Sequence, residues 1–268
     1  MTTFNNQVVG LIRFSYVAKG GFAKTFETDE EAQNFLYDPE RLERRFDLFE
    51  KMCMPSLLAQ SDAGFTCVVL TGESLPKAAR RRLQEHLSQL SDGRLISLPP
   101  KPHYGAMKNA LKKVDFDGAS HRTTFRLDDD DALDTSYVAR LKARAETVHD
   151  LADGAPFAIA FNHGIYVRKT AGGNKIFDAT ERTPLSVGTA LVCPADHPDN
   201  VYARNHRFLP QFFDTYSDAR TPAWIRTIHQ DNDSDPFIHG RSGEMSTDEI
   251  ASALKQGFAQ SYGGLVAL

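Results

Sequence analysis

Four consecutive aspartates, Asp128 to Asp131, directly follow a strand-like run, Thr123-Thr124-Phe125-Arg126-Leu127. Adjacent carboxylates repel, and each raises the cost of ionising the next. A divalent cation relieves that repulsion, and oxygen-only ligands in a short loop suit a hard ion such as Mg2+ or Mn2+. The run holds D-x-D in two registers, Asp128-Asp129-Asp130 and Asp129-Asp130-Asp131. Such a pair serves two tasks in metal-diphosphate binding: one carboxylate ligates the ion, the other accepts a hydrogen bond from a ribose hydroxyl. The spacing leaves the register open. We assign Asp128 and Asp129 to a nucleotide donor, and Asp130 and Asp131 to the metal. The competing reading is a solvated acidic turn.

Further candidates surround that cluster. Arg13, at the end of the first strand-like run, suits a nucleotide base or a phosphate, or else a strand-end salt bridge. Lys101, His103 and Lys108 offer cationic or donor groups to a diphosphate leaving group, although solvated surface explains each. Ser186-Val187-Gly188-Thr189 is a small-residue turn suited to an acceptor pocket, and His206 and Glu181 are acid–base candidates. A second acidic cluster, Asp231, Asp233 and Asp235, matches the first three ligand positions of an EF-hand. It then fails, with Pro236 where the loop needs glycine and Ser242 where it needs glutamate. That segment is read as a loop folding over the ligand or as solvated surface.

The elements that must position these residues alternate between strand and helix. Val8 to Val17 reads as a first strand, and a loop from Lys19 to Lys24 follows it. Leu42, Phe46, Phe49 and Met52 mark a helix over Pro39 to Met52, and Phe65 to Thr71 is a buried strand. Ser74 and Pro76 open a helix carrying Ala79, Leu83, Leu87 and Leu90, before a short strand from Arg94 to Leu98. A helix from Gly105 to Val114 precedes the aspartate strand, and Asp134 or Thr135 caps the helix bearing Val138, Leu141, Ala145 and Val148. The aspartates therefore sit where a strand has ended and a helix has not begun, the edge at which α/β folds bind ligands.

The second half is less regular. Phe157 to Phe161 and Ile165 to Arg168 are strands, with Asn162-His163-Gly164 between them as a hairpin signal. A turn at Gly172-Gly173-Asn174 leads to a strand at Lys175 to Asp178, and Val187 to Cys193 is another. Phe208 to Tyr216 has helical potential, and Ser246 to Glu249 fits a capping box for a helix with Ile250, Leu254 and Phe258. The pattern is a mostly parallel α/β sheet, with residues 1–150 as a nucleotide-binding-like half and 151–268 as an irregular one.

Composition narrows the partners. With 268 residues, 41% hydrophobic and 25% charged, the chain can bury a full core. A net charge of −4 argues against nucleic acid, and Arg80-Arg81-Arg82 is read as the solvated face of a helix. Cys53, Cys67 and Cys193 form no metal or disulfide pattern and are expected as buried thiols in a reducing compartment. No apolar run approaches a spanning length, and no leader is evident, so a cytoplasmic protein is expected, with peripheral membrane contact left open.

In its ordered blocks the chain resembles the GT-A glycosyltransferases, and within them the rhamnosyltransferase-like bacterial family. The blocks are Ile12-Arg13-Phe14-Ser15, Arg126 to Leu133, and Trp224-Ile225-Arg226-Thr227-Ile228-His229. The resemblance implies one GT-A-like domain over 1–268, with a nucleotide-sugar half and an acceptor half. It implies transfer of a sugar, with rhamnose the one the family name suggests, from a nucleoside-diphosphate donor to a glycan or other hydroxyl, in surface-polysaccharide synthesis. It implies Mn2+ or Mg2+ at the aspartates, with His229 closing the metal shell, and it puts Arg13 on the nucleotide side. Two other readings stay open. Lys19-Gly20-Gly21-Phe22-Ala23-Lys24 faintly matches the loop of a sugar-nucleotide nucleotidyltransferase, and the acidic loop suits a non-enzymatic module holding Ca2+ structurally.

Overall fold

Alternate residues of β1 (Asn6–Arg13) enter opposite cores, with Val8 and Ile12 on one side and Val9 and Leu11 on the other. A strand apolar on both faces belongs inside a sheet covered on both sides, and that is where β1 lies. The computed structural model describes residues 4–20, 24–116, 118–232 and 237–268. Gly21 to Ala23 of the glycine-containing loop, and Asp233 to Pro236 of the second acidic cluster, lie outside the described residues.

After β1 come β2 (Ala18–Lys19), α1 (Asp29–Leu36), α2 (Pro39–Leu48), a π-helical turn (Phe49–Cys53) and α3 (Met54–Leu58). Then follow β3 (Thr66–Gly72), α4 (Lys77–Leu87), β4 (Gly93–Leu98), β5 (Lys101–Pro102), α5 (His103–Leu111), β6 (His121–Asp128), β7 (Ala132–Leu133) and α6 (Tyr137–Ala152). The rest comprises β8 (Phe157–Phe161), β9 (His163–Arg168), β10 (Lys175–Glu181), β11 (Ala190–Pro194), a 3-10 turn (His206–Gln211) and β12 (Asp214–Asp218). It ends with β13 (Trp224–Ile228), β14 (Gly240–Ser242), α7 (Thr247–Gly257) and α8 (Tyr262–Val266).

The fold is mixed α/β. Its main sheet has seven strands in the order β12-β8-β11-β6-β1-β3-β4, and β11 alone runs against its neighbours. Strands from both halves of the chain share this sheet. Leu42 and Phe46 of α2, Leu83 of α4 and Leu141 of α6 cover one face, and Met107 and Ala110 of α5 cover the other. A second sheet, β14-β10-β9-β13-β7, packs Ile165, Val167 and Ile225 against Ile250 and Leu254 of α7.

Several elements differ from expectation for local reasons. Asn162 to Gly164 forms no hairpin: β8 stays in the main sheet while β9 starts the second one. The link is fixed by the Asn162 N–H donating to Asp218 O and by Asn162 O accepting from the Glu181 N–H. Phe208 to Tyr216 is not a helix, because the 3-10 turn contains Pro210 and the chain then joins β8 as β12. Neither Asp134 nor Thr135 caps α6. Ser136 is the N-cap residue, and the Asp134 carboxylate accepts from its N–H and its hydroxyl. Ser74 does not cap α4 either; Pro76 occupies that place. The helix from Pro39 runs on through the π-turn into α3, where Pro55 lacks an N–H. The Gln260 side chain donates to the Lys51 and Met52 carbonyls beside that break. Arg80 and Arg82 are not a solvated face: Arg82 pairs with Glu43 and Glu50 over the Phe46 ring, and Arg80 donates to the Gly72 and Glu73 carbonyls. The three cysteines are buried and free, and the capping box at Ser246 and Glu249 is formed. No helix among the described residues is long and apolar enough to cross a membrane.

Candidate functional site

Strands β1 and β6 are parallel neighbours in register, with Arg13 opposite Asp128 at their C-terminal ends. The chain leaves β6 in a tight turn closed by the Asp131 N–H donating to Asp128 O, then enters β7, which pairs with Trp224 and Ile225 of β13. The second sheet is thereby drawn over the aspartates, and a cleft of about 400 Å3 opens between the two sheets. Arg13 and all four aspartates line it. Asp129, Asp130 and Asp131 are buried, which removes the solvated-turn reading.

Each carboxylate has its own environment. Arg45, from the buried side of α2, donates Nε and Nη2 to the two oxygens of Asp129 and Nη1 to Asp130 Oδ2 at 3.0 Å. That fork-on-carboxylate geometry is specific to arginine. Asp130 Oδ2 also receives His229 Nε2 at 2.9 Å and Asn232 Nδ2 at 3.2 Å. Burial works against the Asp130 charge, but Arg45 and His229 outweigh it and hold the carboxyl below its ordinary range. Asp131 behaves oppositely. Burial first, and then the Asp130 charge beside it, push its carboxyl well up, while its Oδ1 accepts the Thr227 N–H at 2.9 Å. Arg226 lines the same cleft and stays cationic despite burial, with Asp131 the leading carboxylate around it.

Asp130 Oδ2 and His229 Nε2 lie 2.9 Å apart as a hydrogen bond, with His229 Nδ1 accepting from the Asp231 N–H so that Nε2 carries the proton. Among the described residues no group of three or more His, Cys, Asp or Glu is arranged to hold a metal alone. Mg2+ takes one or two carboxylates and completes its shell with substrate phosphates and water. An ion held by Asp130 and His229 would have to take the place of the Nε2 proton and complete its shell with a phosphorylated ligand.

His103, Ser186 and His206 also line the cleft, whereas Lys101, Lys108 and Glu181 do not. Glu181 is buried, accepting from the Tyr166 hydroxyl and the His239 N–H. Burial, followed by Arg126 and Arg207, pushes the proton affinity of His206 well down, so its ring is neutral. Gly188 and Thr189 serve the fold: the Gly188 carbonyl accepts from the Tyr137 hydroxyl, and Thr189 donates to Leu185 O. Sequence reading gave no role to Arg45, Arg126, Tyr202, Arg207, Arg226 or Asn232, all of which line the cleft.

A family model described as "Putative rhamnosyl transferase" matches residues 7–241. No curated protein gives a significant match. Among solved structures, S. aureus TarS is similar with a TM-score of 0.48 and 10% identity, over 83% of this chain and 37% of that one. S. aureus TarS 1-349 in complex with UDP gives 0.47 and 10%, over 83% and 60%. A protein described as a "putative nucleotide-diphospho-sugar transferase", from Desulfovibrio desulfuricans G20, gives 0.39 and 10%, over 80% of each chain. The chain thus spans less than two thirds of the TarS structures it matches.

Proposed function

Since the chain belongs to the family described as "Putative rhamnosyl transferase", we propose that this glycosyltransferase uses a nucleotide sugar in a metal-dependent transfer at the aspartate cleft. A sugar, with rhamnose as first candidate, passes from a nucleoside-diphosphate donor to a hydroxyl acceptor in surface-glycan assembly. The observation that carries this reading is the set of buried carboxylates and guanidinium groups at the C-terminal ends of β1 and β6.

In this reading Asp130 and His229 hold Mg2+ or Mn2+, which when bound neutralises the diphosphate leaving group. Asp128 faces the donor at the end of β6, and Arg13 opposite it receives the nucleotide side. Asp129 orients Arg45, so that a rigid guanidinium backs the metal-binding carboxylate. Asp131, bonded to the Thr227 N–H, ties β13 to the turn and so fixes His229 against Asp130, rather than ligating the ion itself.

Calorimetry with UDP, dTDP and GDP, in Mg2+ or Mn2+ and again in chelator, tests this. One nucleotide is expected to bind in metal and to weaken in chelator. Asp130→Asn is expected to abolish the metal-dependent part in a protein that still folds, with a lowered melting temperature because the buried pair with Arg45 is weakened. Wild-type affinity in that variant removes the ion from Asp130. Binding of no nucleotide under any condition removes the donor reading and favours a structural-metal module.

A further inference from the structure

We propose that Arg126 is a second anion anchor in the cleft, seating a phosphate oxygen of the ligand independently of any ion at Asp130 and His229. Arg126 lies two residues before Asp128 on β6, so both side chains leave the same face of the strand. It is 8% exposed and lines the cleft, yet its Nε and Nη1 have no hydrogen-bond partner among the described residues. A guanidinium cannot relieve burial by losing its proton. Buried donors in native proteins are otherwise almost always satisfied, so two orphaned N–H groups on a fixed cation at a cleft wall call for an anionic ligand.

The group is also held in place. Its guanidinium carbon lies 4.8 Å from the centre of the Tyr202 ring, a cation–π contact that holds it against the cleft wall. Tyr202 is fixed in turn by its N–H donating to Asn200 Oδ1 and its hydroxyl donating to Leu11 O. Asp129 and Asp130 are answered by Arg45, and Asp128, on the same face of β6, forms no ion pair with Arg126. His103 and His206 add no competing charge. Burial, with Arg126 contributing, brings the His103 pKa down to about 3 and takes that of His206 well below its ordinary value. Arg126 and Asp130 line the same cleft, and the donor diphosphate is the anion the proposed transfer brings into it. Only this choice of source rests on the glycosyltransferase reading; the anion seat itself does not.

The test compares wild type with Arg126→Gln and Arg126→Lys for three probes: the nucleoside diphosphate that binds best, its parent nucleoside, and inorganic pyrophosphate, each with metal and with chelator. Arg126→Gln is expected to weaken the diphosphate and pyrophosphate by about 10- to 100-fold, to leave the nucleoside unchanged, and to do so in chelator as well. Arg126→Lys keeps the charge without the fork and is expected to lose part of that affinity; it decides the matter if the glutamine variant does not fold. Unchanged phosphate affinity in the folded variants, or an equal loss for the nucleoside, overturns the anchor. Pyrophosphate bound in an Arg126-dependent way with no nucleotide bound overturns the donor reading and upholds the anchor. Failure of wild type to bind any phosphate overturns both.

Discussion

Arg45 reaches the aspartates from α2, a helix whose apolar stripe of Leu42 and Phe46, continued by Phe49 in the π-helical turn, was legible while its buried cation was not. Arg41 and Arg45 stand on the same buried side of that helix. In sequence, arginines flanking an apolar stripe look like residues that lie along the surface with solvated heads. The informative signal was the unanswered charge of the aspartate run, which demands a cation from somewhere in the fold. Removing that cation strands two buried carboxylates, and the cost of breaking such a pair is about 3–5 kcal/mol. Arg45→Met is therefore expected to lose stability on that order at pH 7 in urea denaturation. The sign with pH follows from Asp130, whose carboxyl is held below its ordinary value. Its contribution is present above the unfolded value of about 4 and fades as pH falls through the folded one. The gap between Arg45→Met and wild type should accordingly narrow below pH 4. A gap that stays constant with pH would mean that the arginine acts through packing alone.

Among the elements, β1, β3, β4, β6 and the helices α2, α4, α5 and α6 were readable because each carries a regular apolar period and packs on its sequence neighbours. The junction between the halves was misread because Asn162-His163-Gly164 has the composition of a tight turn, while its geometry is set by distant partners. Gly164 lies directly beneath the indole of Trp224, and a Cβ there would collide with the ring. The Trp224 indole N–H donates to Phe161 O at 2.7 Å, so one side chain joins the end of β8 to β13 across the crossover. A hairpin glycine would instead be required by a positive φ, which Gly164 does not have. Gly164→Ala thus tests close approach and not turn chemistry. It is expected to destabilise the protein by about 1–3 kcal/mol, as overpacking does, and to weaken nucleotide binding because β13 carries Arg226 and leads into His229. An alanine variant with wild-type stability and affinity would show that the contact is dispensable.

At the scale of the whole molecule, ligand and fold are coupled because no single sheet owns the cleft. The main sheet supplies Arg13 and Asp128 and the second sheet supplies Arg226, while His229, just beyond β13, stands behind the cleft lining and touches it through Asp130. The two sheets are clamped at the aspartate turn by the Thr227 hydroxyl donating to Asp130 O and the Thr227 N–H donating to Asp131 Oδ1. A ligand that bridges Asp130 and His229 adds to that clamp, so it should stabilise both sheets together. A ligand at 100 times its dissociation constant contributes about 2.7 kcal/mol. For a chain of this size that corresponds to a rise in melting temperature of about 5–10 °C. Nucleotide with Mg2+ or Mn2+ is expected to give such a shift in one cooperative transition, and chelator or His229→Gln to leave only the metal-independent part. Hydrogen exchange should slow in β6, β7 and β13 in parallel. Protection confined to β6, or a second transition that ligand does not move, would mean that the second sheet opens without disturbing the site, and the bridging role of His229 would fall with it.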